Sequence, residues 1–203
     1  MARYTGPKNK LARKVGQDLG LKSNALKVAR RLNVRPGQHG RRMRRKVSDY
    51  GVQLMEKQKV RFIYGVQEKY LVKTYQLAMK DLTATGAGLL KLLEGRLDNV
   101  VYRLGFAPTR AAARQLVTHG HVLINDKKVD IASYRVSIGE TIRLDDKAAK
   151  IPYVAELLGE KGAAQPPKWL ERKATIGKVT ALPEREDITE GIEEQLVVEY
   201  YSR

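Results

Sequence analysis

Three histidines, a few paired acids and two arginines one helical turn apart are the residues of this chain whose types and spacing could do chemistry. His119 and His121 stand two apart across Gly120, where a helical pattern gives way to an alternating one, so their rings are expected to diverge. No third ligand or carboxylate pair stands near them in sequence, and phosphate or ribose contact is favoured over metal binding, with plain packing close behind. The acids Asp145-Asp146, Glu184 with Glu186-Asp187, and Glu193-Glu194 are adjacent or nearly so. Neighbours on a helix or strand rarely converge on one divalent ion or one scissile bond, and solvated surface is the better reading. Cysteine is absent, which removes disulfides, thiolate metal sites and a thiol nucleophile together. Gly86-Ala87-Gly88 and the stretch from Gly37 to Gly40 lack the lysine and spacing of a nucleotide-cradling loop. A non-enzyme is expected, with no metal and no cofactor.

Arg110 and Arg114 carry a sharper signal. After Ala107-Pro108, Thr109 is placed to cap a helix from Arg110 to His119 that Gly120 stops. Its three alanines allow close packing on one side, while the two guanidiniums, four residues apart, project together from another and match adjacent phosphates. Ordinary surface arginine is the alternative, but like charges at this spacing oppose a helix unless an anion compensates them.

Charge points to a polyanion as the partner. The chain has 39 Lys or Arg against 22 Asp or Glu, a net +17 on 203 residues, and 42% hydrophobic residues suffice for a folded core. From Met1 to Lys46 stand 15 Lys or Arg and one acid, a net +14, whereas Glu184 to Arg203 has seven acids and two bases, a net −5. Within the basic segment, Pro36, Gly37 and Gly40 break any helix and lead into Arg41-Arg42-Met43-Arg44-Arg45-Lys46, a loop able to follow an irregular anionic surface. A solvated tail or localisation signal is the alternative. Leu11, Val15, Leu19, Leu21, Leu26, Val28 and Leu32 intersperse the bases and imply short ordered pieces in an arm that orders fully on its target. The N-terminus has no apolar h-region and no stretch reaches the roughly 20 apolar residues of a membrane span, so a soluble cytoplasmic protein is expected.

The elements that hold these residues read as follows. Ser48 caps a helix through Tyr64 that ends at Gly65, and Leu71, Tyr75, Ala78 and Leu82 form a second helical stripe. Lys57, Lys59, Arg61, Lys69, Lys73 and Lys80 lie between the apolar positions, as a solvated face or a phosphate-facing one. The run from Thr83 to Gly88 breaks the pattern and suggests a domain boundary. Leu89 to Leu93 reads as a helical turn, and Glu94 to Phe106 as a short helix ending at Gly105, with Asp98 placed to cap it or to pair with Arg96. Val122 to Ile124 turns tightly at Asn125-Asp126 and returns over Lys128 to Ile131; Arg135 to Ile138 and Thr141 to Leu144 suggest a further hairpin about Gly139-Glu140. Trp169 reads as a packing anchor or a base-stacking ring. The class is α+β: helices, then a small antiparallel sheet.

This arrangement resembles the small RNA-binding domain named after ribosomal protein four of the small subunit, and the resemblance runs end to end. It is carried by Met1-Ala2-Arg3-Tyr4-Thr5-Gly6-Pro7, Pro36-Gly37-Gln38-His39-Gly40, Ser48-Asp49-Tyr50-Gly51-Val52-Gln53-Leu54, Glu56-Lys57-Gln58-Lys59, Tyr64-Gly65-Val66 and Leu196-Val197-Val198-Glu199-Tyr200-Tyr201-Ser202-Arg203. The family resemblance implies a basic arm (1–46), a discontinuous helical domain (47–88 and 177–203) interrupted by a small α/β domain (89–176), and a final strand-like run returning to the first domain. It implies a structural ribosomal protein that binds 16S-type ribosomal RNA at a multi-helix junction of the five-prime domain. Nucleation of subunit assembly and an influence on decoding accuracy are also implied, with small-subunit proteins five and three and messenger RNA at the entry channel as partners. It implies no membrane association and no homo-oligomer; some relatives repress translation of their own operon. Many relatives hold zinc with four cysteines in the arm; with none here, the arm is expected to be ordered by RNA and packing. RNA-modifying enzymes share the small domain, but only about 70 residues lie outside it and the arm, too few for a separate catalytic domain. RNA contact is assigned to Arg3, Tyr4, Lys8, Lys10, Arg13, Lys14, Lys22, Arg35, His39, Arg41, Arg42, Arg44, Arg45 and Lys46 in the arm, and to Lys57, Lys59 and Arg61 in the helix after it. In the small domain it is assigned to Arg96, Arg103, Thr109, Arg110, Arg114, Gln115, His119 and His121.

Overall fold

In the computed structural model, which describes residues 4–41, 46–80, 84–159 and 165–203, the basic segment forms two short helices, α1 (Lys8–Val15) and α2 (Ala25–Ala29). Gly16, at φ +85°, ends α1, and the Asn24 side chain accepts from the Lys27 amide to begin α2. Leu11, Leu19 and Val28 are buried, whereas Leu26 is exposed. Helix α3 (Asp49–Ile63) begins where the Ser48 hydroxyl accepts from the Gly51 amide at 3.3 Å, and the chain turns at Gly65, φ +61°. Helix α4 (Glu68–Ala78) buries Leu71, Tyr75 and Ala78; Leu82, expected on the same stripe, lies outside the described residues.

Within the expected break from Thr83 to Gly88, residues 85–88 are instead helical, because α5 (Thr85–Glu94) begins inside it, and the two compact units divide after Gly88. Gly86 is tolerated there because a Cβ would meet the Glu194 side chain at 2.8 Å; the absent side chain is what permits the close approach. After α6 (Leu97–Arg103), Gly105 takes φ +71°, and α7 (Arg110–Thr118) starts with the Thr109 hydroxyl accepting from the Ala112 amide. Strand β1 (Val122–Ile124) turns through Asn125 and Asp126, both left-handed at φ 47° and 63°, into β2 (Lys127–Lys128). Two successive residues with positive φ are the signature of a type I′ hairpin, which asparagine and aspartate tolerate without glycine. β3 (Thr141–Leu144), α8 (Asp146–Ala149), α9 (Pro152–Leu158), β4 (Leu170–Lys173) and β5 (Ile176–Val179) follow.

The sheet is antiparallel throughout, in the order β2-β1-β3-β5-β4. Two expectations fail here. The return strand is only Lys127–Lys128, with Ile131 exposed. Residues 135–138 do not form a hairpin with β3, whose two edges are taken by β1 and β5. That segment instead docks on the turn between α5 and α6: the Leu97 and Asp98 amides donate to the Tyr134 and Ala132 carbonyls, and the Val136 amide donates to the Gly95 carbonyl. Long-range pairing thus overrides a plausible local hairpin. Leu97, Val100, Leu104, Phe106, Leu116, Val117, Ile142 and Leu144 pack into one core with Trp169, which is buried and anchors rather than stacks in the open.

The final apolar run is a helix, α10 (Glu194–Tyr201), where a strand was expected. Val197, Tyr200 and Tyr201 fall at helical spacing, and Val197 is fully buried; tertiary packing outweighs the β-propensity of two valines. The chain divides into two compact units, Met1–Gly88 with Glu190–Arg203 and Leu89–Thr189. A boundary after residue 176 would cut β5, so the second unit continues to Thr189, and the basic segment counts with the first unit instead of standing apart.

Gly177 faces the core of the second unit so closely that a Cβ there would overlap Leu104 Cδ1. Gly177→Ala is expected to destabilise that unit by about 1–3 kcal/mol through overpacking. Urea unfolding followed by the fluorescence of Trp169, the single tryptophan, measures it.

Candidate nucleic-acid interface

In the second unit, two carboxylates organise four arginines. Asp98, in the first turn of α6, accepts from Arg96 Nε at 3.0 Å and Nη2 at 2.6 Å, and from Arg114 Nη1 at 3.3 Å. Glu94, at the end of α5, accepts from Arg103 Nε at 2.9 Å and Nη2 at 2.8 Å and from Asn99 Nδ2 at 2.7 Å; Arg110 Nη2 lies 3.8 Å from it. Asn99 extends the network, its Oδ1 accepting from Arg110 Nε at 2.7 Å. The Arg110 guanidinium also lies over Tyr102, 4.6 Å from the ring centre. Arg96 is wholly buried, and Arg110 and Arg114 are each only 9% exposed. This corrects the expectation of two guanidiniums projecting into solvent. The anions that offset their repulsion along α7 are Asp98 and Glu94, from the neighbouring helices.

Arg172 is a structural cation of another kind, absent from the residues assigned to RNA above. Its guanidinium donates to the carbonyls of Leu104 at 2.9 Å and Leu157 at 3.1 Å and lies over Phe106, capping the C-terminal end of α6 with a cation. Burial lowers its pKa. No motif marks it, and its place opposite Gly177 in the β4–β5 pair is known only from the fold.

In the first unit, α3 turns its lysines inward as well. Lys57 is 3% exposed, pairs with Glu68 at 2.8 Å and lies 4.8 Å from the centre of the Tyr200 ring. Lys59, 5% exposed, pairs with Glu56 at 3.0 Å and donates to the Gly191 carbonyl. Arg61 is half-buried, 3.5 Å from Glu68. The acidic C-terminal segment is received by polar groups of α3: Glu199 accepts from Gln53 at 2.9 Å, and the Glu193 amide donates to Glu56. Burial pushes the Glu68 carboxyl up. The hydrogen bonds from Lys57 and Tyr201, with the charges of Lys57 and Arg61, outweigh it and hold the group below the usual carboxylate range. Tyr201 is pushed up by burial and by its hydrogen bond to Glu68.

The remaining assigned residues divide between structure and surface. Arg13 is half-buried and donates to the carbonyls of Val34 at 2.7 Å and Arg35 at 3.0 Å, so it closes the arm's loop. Lys8 donates to the Tyr4 carbonyl and lies over its ring. Thr109 is spent on its cap. Tyr4, Lys10, Lys14, Lys22, Arg35, His39, Arg41, Lys46, Gln115 and His119 are exposed, and His121 is half-buried. The rings of His119 and His121 lie 6.3 Å apart, neighbours rather than diverging, and no metal-binding cluster of three such ligands occurs among the described residues. Arg3, Arg42, Arg44 and Arg45 lie outside the described residues. By unit, Met1–Gly88 with Glu190–Arg203 holds 22 Lys or Arg against nine acids, a net +13, and Leu89–Thr189 holds 17 against 13, a net +4.

The family described as Ribosomal protein S4/S9 N-terminal domain matches residues 3–94, and the S4 domain matches residues 95–142. Proteins named small ribosomal subunit protein uS4 match over the whole of both chains: that of Parabacteroides distasonis is 48% identical over 205 residues and that of Roseiflexus castenholzii 49% over 209. The one from Herpetosiphon aurantiacus is 50% identical over 211 residues. The chain belongs to the uS4 family. That family is not one of enzymes. Glu94, Asn99, Glu68 and Glu56, which hold the assigned cations in place, were not singled out from the sequence. A carboxylate's partner is visible there only when it lies close by in the chain, as Arg96 does two residues from Asp98.

Two consequences are measurable. Asp98→Ala leaves Arg96 and Arg114 without their shared anion and is expected to cost the second unit about 3–5 kcal/mol, the range for breaking a buried pair by removing one partner; Trp169 fluorescence in urea reports it. Glu68→Gln is expected to lower the stability of the first unit at neutral pH. Because the folded-state pKa of Glu68 is depressed, its contribution is present above the ordinary carboxylate pKa and disappears as pH falls through the lowered one. The gap between parent and variant in the helical circular dichroism melt should therefore close on acidification.

Proposed function

We propose that this chain is a structural constituent of the small ribosomal subunit, which binds its ribosomal RNA directly through the first unit's exposed cations. The observation that carries the reading is the distribution of charge: a net +13 on one unit, with Lys10, Lys14, Lys22, Arg35, Arg41 and Lys46 exposed while the cations of α3 are neutralised internally. An exposed, uncompensated cationic surface gains by releasing the counterions condensed on a phosphate backbone. The relatives' name, small ribosomal subunit protein uS4, supports the same assignment.

The second unit contributes differently. Arg96, Arg103, Arg110 and Arg114 stiffen the helices, and Gln115 and His119 on the open face of α7, with His121 beside it, are the groups offered to RNA. By family resemblance the RNA target is a multi-helix junction of the five-prime domain, bound early, so that the chain nucleates assembly and contributes to decoding accuracy. The same resemblance supports contacts with small-subunit proteins five and three and with messenger RNA at the entry channel, in a cytoplasmic ribosome.

Sucrose-gradient sedimentation tests the reading: the chain is expected in small-subunit fractions, and its absence from them would sink the assignment. Filter binding to a small-subunit ribosomal RNA transcript refines it. Replacing Lys10, Lys14 and Lys22 by Ala is expected to lower the salt slope by about 0.7 to 0.9 for each phosphate left without its cation. Arg110→Ala with Arg114→Ala should chiefly lower the melting temperature.

A further inference from the structure

Tyr50 sits in the first turn of α3 with 48% of its surface open, although it ends a row of four aromatic rings. Its ring centre lies 5.8 Å from that of Tyr200, Tyr200 meets Tyr201 edge-on at 5.3 Å, and Tyr201 lies 4.8 Å from Tyr75. The inner end of the row is fixed, since Tyr75 is buried and the Tyr201 hydroxyl donates to Glu68 at 2.8 Å. Cations attend the outer end: Lys57 lies over Tyr200, and the exposed Arg203 guanidinium lies 5.7 Å from the centre of Tyr50. Neither the helix cap nor the core needs an open ring here, because Ser48 supplies the cap and Val60 and Ile63 the burial.

We infer that Tyr50 is a stacking platform for an unpaired nucleobase, with Arg203 as the cation beside it. A ring already held by its neighbours gives up little conformational freedom on binding, which favours a ligand that needs a flat, rigid surface. Every base presents such a face, and stacking on an aromatic side chain flanked by positive charge is the chemistry of single-stranded nucleic-acid sites. The surrounding unit, at +13, complements the attached phosphates. The site rests on the RNA reading above and adds to it a non-electrostatic contact.

Filter binding of the full chain to a small-subunit ribosomal RNA transcript tests the platform. Tyr50→Ala and Tyr50→Leu are expected to weaken binding by roughly 5- to 150-fold, the range for one stacked base, with the salt slope unchanged because every phosphate keeps its cation. Tyr50→Phe should bind like the parent, and circular dichroism should show all three variants folded. Leucine keeps the apolar bulk without the π face, so it separates stacking from packing. Parent-like affinity in the Ala and Leu variants overturns the platform, as does a Phe variant as weak as Ala, which would assign the effect to the hydroxyl. Unchanged RNA affinity with loss of the variants from assembled small subunits would make this a protein-binding surface, and overturns it too. Failure of the unaltered chain to bind the transcript would instead sink the RNA reading and the platform with it.

Discussion

The geometry of the second unit depends on two buried carboxylates. Asp98 and Glu94 between them receive Arg96, Arg103 and Arg114 directly and approach Arg110, whose Nε is held by Asn99. Arginine suits the task because its planar fork donates twice to one carboxylate and stays charged when buried. Since the donors come from α6, α7 and the residues before α6, satisfying them fixes how α5, α6 and α7 pack. Residues 132–136 are in turn tied by backbone hydrogen bonds to the turn that carries Arg96. A pair of this kind contributes less net stability than its short distances suggest, because desolvating the ions offsets much of their attraction; its larger effect is to penalise any other packing of the helices.

The first unit uses the same chemistry to a different end. Lys57 and Lys59 on α3 are consumed by Glu68, Glu56 and the turn before α10, so cations that would otherwise face solvent are neutralised or covered from within the chain. Positive charge is thereby removed from the helical core and left on the N-terminal segment, where short helices with few buried residues display it. A net +17 thus becomes a localised cationic surface instead of a uniform one, and localised charge is what steers and registers a phosphate backbone.

Much of the fold was legible in the sequence where a signal is local. Ser48, Thr109, Gly65, Gly105 and Gly120 mark helix ends by their side-chain oxygen or by left-handed backbone, and all act as read. The turn at Asn125-Asp126 was legible, and so was the pairing of Asp98 with Arg96, two residues away. The errors share a cause. The supposed hairpin at residues 135–144 and the strand-like end each rest on a local pattern that a distant partner overrides: β5 beside β3, and α3 beneath α10.

By itself the sequence determined the charge, its concentration near the N-terminus, the absence of cysteine chemistry and the positions of several helix ends. These depend on residue type and on neighbours within a turn. Only the tertiary structure decided which cations remain available. Arg110, Arg114, Lys57 and Lys59 read as exposed because a helix drawn from sequence shows one face to water and gives no hint of acids arriving from elsewhere. The carboxylate that claims Lys57 lies 11 residues away and the one that claims Arg114 lies 16 away, while the Gly191 carbonyl that claims Lys59 lies 132 residues away. Burial itself is a property of the folded chain, and no spacing rule contains it, even where the anion lies a turn away as Glu56 does from Lys59.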